Sequence, residues 1–316
     1  MVGRTRKRLL SNHLLLPPAM RDFASCFSEN AVKISDASCS GSSSGGLALD
    51  GTSVVSAVTC VYGVRLSTLK ELLIRVAWSK SHVGPALSIG IDDSPSLHCW
   101  KPDAMSCQLL RKKKGARSYV SGKSAVVVHW DLSSARYGSS GPEPIDNFYV
   151  VVMVNAEFGL LLGDMSKEHI RRFGGTIPTA EFSMISRKEQ VLGHSRHSTT
   201  SRFRDAGRDH EITVRCKGDG CDAKDSELSV CIDRKRVVQV RKLRWNFRGN
   251  QTVFVEGSPV DVMWDVHDWW FGNPSGCAMF MFRTRSSPES RLWSSSSSSS
   301  EEMSGFSLVI QAFRSP

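Results

Sequence analysis

Between Leu228 and Phe271 apolar and polar residues alternate in short runs, and that pattern restricts the region to antiparallel sheet. Leu228, Val230 and Ile232 alternate with Ser229 and Cys231. Beyond Asp233-Arg234-Lys235 the alternation reaches Leu243, Trp245 and Phe247, interleaved with Arg244 and Asn246. Gly249-Asn250 predicts a turn into Val253 and Val255, and Gly257-Ser258-Pro259 another into Val260, Val262, Trp264 and Val266. Successive side chains of a strand point to opposite faces, so alternation of this kind buries one face and leaves the other to solvent. Trp245 and Trp264 are expected to fill the buried face.

The same signals recur upstream. Strands are expected around Val54–Val55, Val58–Tyr62, Leu72–Trp78, Ala86–Ile91, Ala125–Trp130, Phe148–Val154, Phe158–Leu162, Phe182–Ser186 and His210–Cys216. Ala278–Phe282 and Phe306–Phe313 follow the central run. One short helix is expected over Asp164–Phe173, with Asp164 as its N-cap. The fold class is therefore all-β: a large antiparallel β-sandwich or barrel-like sheet of about a dozen strands. Residues 1–52 read as a disordered extension and Ser/Gly linker, 53–283 as the all-β domain, 284–305 as a disordered Ser-rich insertion and 306–316 as a last strand. No stretch recurs clearly enough to mark two copies of one unit.

The formal charge of +10 points to a protein or other anionic partner. No run approaches the ~20 apolar residues that span a bilayer. Nine cysteines, odd in number and scattered, carry no disulfide-framework spacing and read as reduced thiols. The cytoplasm is the expected compartment, ahead of the nucleus, with organelle targeting by the basic N-terminus third.

Four constellations bear on chemistry. Asp265 and His267 fall on one face if the strand continues, where an Asp–His contact could orient an imidazole as a general base. No Gly-x-Ser-x-Gly nucleophile elbow accompanies them, and an exposed strand face ending in an aromatic plug is the preferred reading. Glu256, Asp261 and Asp265 lie near hairpin positions, but nothing fixes a glycosidase-like separation. His194, His197, Cys216 and Cys221 are the candidate metal ligands, with Cys-x4-Cys spacing too loose to favour zinc over buried thiols. Arg111, Lys112, Lys113 and Lys114 look like a hairpin tip, and Arg187, Lys188, Arg202 and Arg204 decorate a long loop, 187–208. Both are candidate contacts for an anionic partner. Aromatic platforms are sparse among them, which disfavours nucleic acid. No phosphate cradle is present and no cofactor is expected.

Several segments resemble a plant-specific uncharacterised family, domain of unknown function 868. They are Ser186-Arg187-Lys188-Glu189, Leu243-Arg244-Trp245-Asn246-Phe247-Arg248-Gly249-Asn250, Trp264-Asp265-Val266-His267-Asp268-Trp269, Trp130-Asp131-Leu132, Leu160-Leu161-Leu162-Gly163-Asp164 and Met20-Arg21-Asp22-Phe23-Ala24-Ser25-Cys26-Phe27. The resemblance covers roughly residues 20–283 and implies that Met1–Ala19 is an extension. Asp233-Arg234-Lys235 stands where the family pattern carries Asp-Gly-Lys, which implies a wider hairpin here. The Ser-rich insertion and the strand after it look atypical of the family. The resemblance implies no activity, ligand or catalytic residue.

The leading functional reading is thus a non-enzymatic all-β binding protein using the basic loops 111–117 and 187–208. The alternatives are a hydrolase or transferase using Asp265 and His267, and a carrier with an apolar β-cavity.

Overall fold

The computed structural model describes residues 54–81, 84–93, 107–110, 112–139, 141–173, 177–193, 196–204, 207–217, 226–271, 276–285 and 305–313. The chain divides into two compact units, Met1–Ala31 and Val32–Pro316. The first lies outside the described residues, as do the expected Ser/Gly linker and the serine tract. Everything below concerns the second.

Among the described residues nineteen strands and two short helices make an all-β architecture, with more strands than the expected dozen. The chain first forms a meander, β1 (Val54–Arg65), β2 (Glu71–Ser81), β3 (Gly84–Asp92) and β4 (Cys107–Leu110). A second sheet, ordered β10-β9-β6-β5, comprises β5 (Lys114–Ser121), β6 (Ser124–Asp131), β9 (Tyr149–Val154) and β10 (Glu157–Leu162). The small ribbon β7 (Arg136–Tyr137) and β8 (Pro144–Asp146) is inserted between β6 and β9. Helix α1 (Ser166–Arg171) follows, then β11 (Glu181–Leu192). A third sheet holds β12 (Arg196–Ser201), β13 (His210–Lys217), β14 (Glu227–Ile232) and β15 (Lys235–Arg241) in sequence order. The last run is β16 (Arg248–Val255), β17 (Ser258–Asp265), helix α2 (His267–Phe271), β18 (Cys277–Thr284) and β19 (Ser307–Phe313).

The first and last runs are one nine-stranded sheet, β16-β17-β18-β19-β11-β1-β2-β3-β4, with β11 joining them. Two separate apolar cores pack on it. Val126, Val128, Val150, Val152, Val154 and Leu160 of the second sheet meet Leu72, Ile74, Val76 and Ile89. Ile212, Val214, Leu228, Val230, Val238 and Val240 of the third meet Val260, Val262, Trp264, Phe280, Phe282 and Ile310. Val58 and Cys60 of β1 belong to the second of these cores and Val64 to the first, while Tyr62 touches both. These four residues share one face of β1, so both cores lie on the same side of the long sheet.

The molecule is therefore two β-sandwiches side by side, each made of two four-stranded meanders, and they are copies of one plan. The clearest match is the hairpin β5–β6 with the hairpin β16–β17, where every residue of the second is numbered 134 above its counterpart. Gly115 pairs with Trp130, and Gly249 with Trp264. Trp130 Nε1 donates to the Lys112 carbonyl at 2.8 Å, and Trp264 Nε1 to the Asn246 carbonyl at 3.1 Å. The amides of Leu132 and Val266 donate to the carbonyls of Lys113 and Phe247 at 2.7 and 2.8 Å. This overturns the expectation of no repeat. The shared residues, Gly, Ser, Val, Trp and Asp, are too few and too widely spaced to stand out without their hydrogen bonds.

Three local expectations also change. Leu243–Phe247 is a turn rather than a strand: Lys242 has φ 52°, and its carbonyl accepts from the amides of Trp245 and Asn246. The turn read at Gly249-Asn250 consequently lies inside β16. Asp233-Arg234 makes a tight two-residue hairpin, not a wide one, with φ 49° and 65° and Ile232 paired to Lys235. The left-handed conformation is held without glycine because the Asp233 carboxylate accepts from the Glu211 amide at 3.1 Å and contacts His210 Nδ1 at 2.7 Å. Finally, α1 is capped at Met165 with no side-chain bond, while Asp164 accepts from the Phe148 amide at 3.2 Å.

Candidate functional site

Asp265 and His267 close the hairpin β16–β17, and their side chains do not pair. Asp265 Oδ2 accepts from Arg248 Nε at 2.8 Å and its Oδ1 accepts from the backbone amide of His267 at 3.0 Å. The chain turns from strand into α2 there, so the alternation expected to put both residues on one face stops at Asp265. His267 Nδ1 instead meets Asp268 at 3.0 Å, and its ring packs against Phe247 and Phe271. In the first copy Asp131 does the same work, pairing with Lys114 at 2.7 Å and accepting from the Ser133 amide at 3.0 Å. Ser133 occupies the place of His267, so the bond that closes this corner uses the backbone amide and does not depend on the imidazole. Glu256 and Asp261 are likewise committed: Glu256 contacts Arg208 and His210, and Asp261 accepts from Thr252 and Arg285.

Of the candidate metal ligands, His194 and Cys221 lie outside the described residues. His197 is buried, with Nε2 at 2.9 Å from Glu189 Oε2. Among the described residues no group of three His, Cys, Asp or Glu is placed to hold a metal ion. Cys60 and Cys277 are free thiols, whereas Cys231 is disulfide-bonded, against the expectation of reduced thiols throughout.

The basic residues separate into two kinds. Arg111 lies outside the described residues, and Lys112 and Lys113 are exposed in the connection from β4 to β5. That connection crosses from one sheet to another and is not a hairpin tip. Arg117, also exposed, projects from β5, an edge strand of its sheet. The expected loop 187–208 is mostly strand, since β11 runs on to Leu192 and β12 follows. Polar alternation concealed both, because β11 carries charge where a core residue is usual. Lys188 is half-buried there. Beyond β12, Arg202 pairs with Asp209 at 3.0 Å and Arg204 Nη1 donates to the Glu256 carbonyl at 3.3 Å.

Arg187 belongs to a buried network that sequence reasoning missed. Its guanidinium donates to Glu143 Oε1 and Oε2 at 2.9 and 2.5 Å and to Glu189 Oε1 at 2.8 Å. Thr199 Oγ1 donates to Glu189 at 2.7 Å. Burial alone would raise the Glu189 carboxyl, but the His197 hydrogen bond and the Arg187 charge outweigh it and hold it at about 2. Burial pushes the neighbouring Cys60 thiol up to about 11, which leaves it protonated and a poor nucleophile. The network ties β1, β11, β12 and the segment before β8 together where the two sandwiches meet. Its only legible signal was Arg187, Glu189 and Val191 alternating on one strand face.

A pocket opens beside this network, lined by Val191, His197, Cys216, Trp269, Phe280 and Ile310 among others. About 400 Å3 lies between its lining atoms, open mouth included. It is a shallow apolar recess, not the enclosed cavity of a few hundred Å3 that a carrier requires.

The other feature missed is an aromatic tip. Trp245, expected in the core, is 81% exposed, and Phe271 is 55% exposed. Phe247, His267 and Phe271 form a ring cluster with centroids 5.2 to 5.9 Å apart. By the offset of 134 in sequence, Trp245 and Phe247 correspond to Arg111 and Lys113.

No curated protein and no solved structure matches this chain. A family profile matches residues 53–314 and so takes in β19, which the sequence had set apart as atypical, while Met20–Phe27 falls outside it. With the profile spanning both sandwiches, the chain belongs to the family described as plant protein of unknown function (DUF868).

Proposed function

We propose that this chain is a non-enzymatic binding protein, a duplicated β-scaffold that presents one cationic and one aromatic loop at equivalent positions of its two copies. The observation that carries this reading is a contrast inside the repeat. The hairpin frameworks match bond for bond, yet the connections leading into them read Arg111-Lys112-Lys113-Lys114 in one copy and Trp245-Asn246-Phe247-Arg248 in the other. Loops held on a rigid sheet are where recognition is usually built. Exposed Lys112, Lys113 and Arg117 supply cations for an anionic partner, in keeping with the charge of +10. Arg187 and Lys188 are left out of this surface, because strand β11 holds them. The enzyme alternative loses its best residues, since Asp265 repeats the structural part that Asp131 plays.

Affinity capture from plant extract with the full chain tests the reading, with washes at low and moderate salt. A partner retained by the parent and lost from the Lys112→Glu/Lys113→Glu variant supports it. Equal retention by parent and variant, or no retained partner, removes the cationic loop from function.

A further inference from the structure

We infer that the turn Lys242–Phe247, together with α2, is a tip that docks on an anionic lipid bilayer surface, an extension of the binding-protein reading above. Two large aromatic side chains stand in solvent here, Trp245 at 81% and Phe271 at 55% exposure. Most exposed apolar residues of this size lie singly on a protein, whereas these sit on adjoining elements over one ring cluster. The tip is held rigidly. Trp245 and Asn246 amides donate to the Lys242 carbonyl at 2.9 and 3.1 Å, and Asn246 Nδ2 donates to the Arg241 carbonyl at 2.9 Å. Below it Trp264 Nε1 donates to the Asn246 carbonyl at 3.1 Å. The Trp245 ring is thus presented by a fixed turn, at little further cost in order on binding.

Charge and shape together select the occupant. Arg241 and Lys242 flank the turn and are exposed, and the Arg248 guanidinium lies 5.8 Å from the Phe247 ring centroid. Two acids lie beside the cluster: Asp268, 67% exposed, which His267 faces at 3.0 Å, and Asp265, which pairs with Arg248 at 2.8 Å, so that Arg241 and Lys242 are the cations offered to headgroups. Indole and phenyl rings beside Lys and Arg suit the bilayer interface, where the ring enters among acyl chains and the cation stays with headgroup phosphates. A single-stranded nucleic acid needs a groove with a row of stacking platforms, and a turn that offers one protruding indole is not one. Among the described residues no helix is long and apolar enough to cross a membrane, so the association proposed is with the surface.

Sedimentation of the full chain with phosphatidylcholine vesicles containing about one-fifth phosphatidylserine tests this, with pure phosphatidylcholine vesicles as the comparison. The expected result is binding to the acidic vesicles only. Trp245→Ala/Phe271→Ala should weaken the partition about tenfold or more with its melting temperature unchanged, because both side chains are exposed. Val120→Ala should leave it within about twofold, because that side chain, 73% exposed, stands on β5 outside the tip. No sedimentation of the parent, or equal sedimentation of the aromatic variant, overturns the inference. So does loss of a protein or RNA partner, rather than of vesicles, in the aromatic variant. Partner capture that depends on Lys112 and Lys113 without vesicle binding would leave the binding-protein reading standing while this inference falls.

Discussion

Gly249 lies directly across from Trp264 on the neighbouring strand, and a Cβ on the glycine would come within 2.3 Å of the indole Cζ2. Gly115 stands in the same relation to Trp130, with 2.9 Å available. The glycine is required by a close approach of a ring, not by a turn. Gly249→Ala should therefore cost about 1–3 kcal/mol, and Gly115→Ala less, through displacement of the indole. Chemical denaturation of the two variants measures both. A cost no larger at position 249 than at 115 would show that the rings move aside freely.

Trp264→Ala should cost about 3–5 kcal/mol, because the residue is 2% exposed at the heart of the second core. Trp245→Ala should change stability by about 0.5 kcal/mol or less, as a side chain 81% in solvent. Melting temperatures of the pair check the two strand assignments at once. Similar losses in both would contradict the turn at Lys242–Phe247.

Arg234→Gly should stabilise the protein by about 0.5–1 kcal/mol. Arg234 holds φ 65° at the second position of its hairpin, and a side chain there carries a strain that glycine does not. Its ion pair with Glu211, 3.9 Å long and largely exposed, contributes little against that. A melting temperature below the parent's would mean that the turn is not strained.

Glu189 should make the fold acid-sensitive. A carboxyl whose folded value lies below its unfolded one adds stability at higher pH and loses it on acidification. For Glu189 that window runs from its usual 4.5 down to about 2. Its full contribution is about 3 kcal/mol, obtained by converting the shift at 1.36 kcal/mol per pH unit. Melting curves of the parent between pH 6 and pH 2.5 should fall more steeply than those of Glu189→Gln. Parallel curves would exclude Glu189 as the sensor.

The sequence displayed the strands that bury one face and concealed those that do not. β14 and β17 alternate apolar with polar residues and period two found them, while β6 and β9 stand out as runs of valine. β5 and β12, with compositions KGARSYVS and RHSTTS, are edge strands with little apolar surface, and both read as loops. The same blindness affected the sites. Leu243, Trp245 and Phe247 have the spacing of a buried strand face, yet the left-handed Lys242 ends β15 and turns Trp245 outward. Arg187 looked like surface charge because the carboxylate that pairs with it, Glu143, is more than forty residues away in sequence.

The place of β19 in the long sheet sets a timetable for biosynthesis. This strand lies between β18 and β11, and its bond to β11 is the one parallel pairing between named strands. The first sandwich and β11 leave the ribosome well before Ser307–Phe313 exists. Until then β11 carries a row of unpaired amides and carbonyls along one side, the kind of edge that recruits other chains. The edge of β11 is therefore open from the synthesis of the first sandwich until Ser307–Phe313 arrives to cover it.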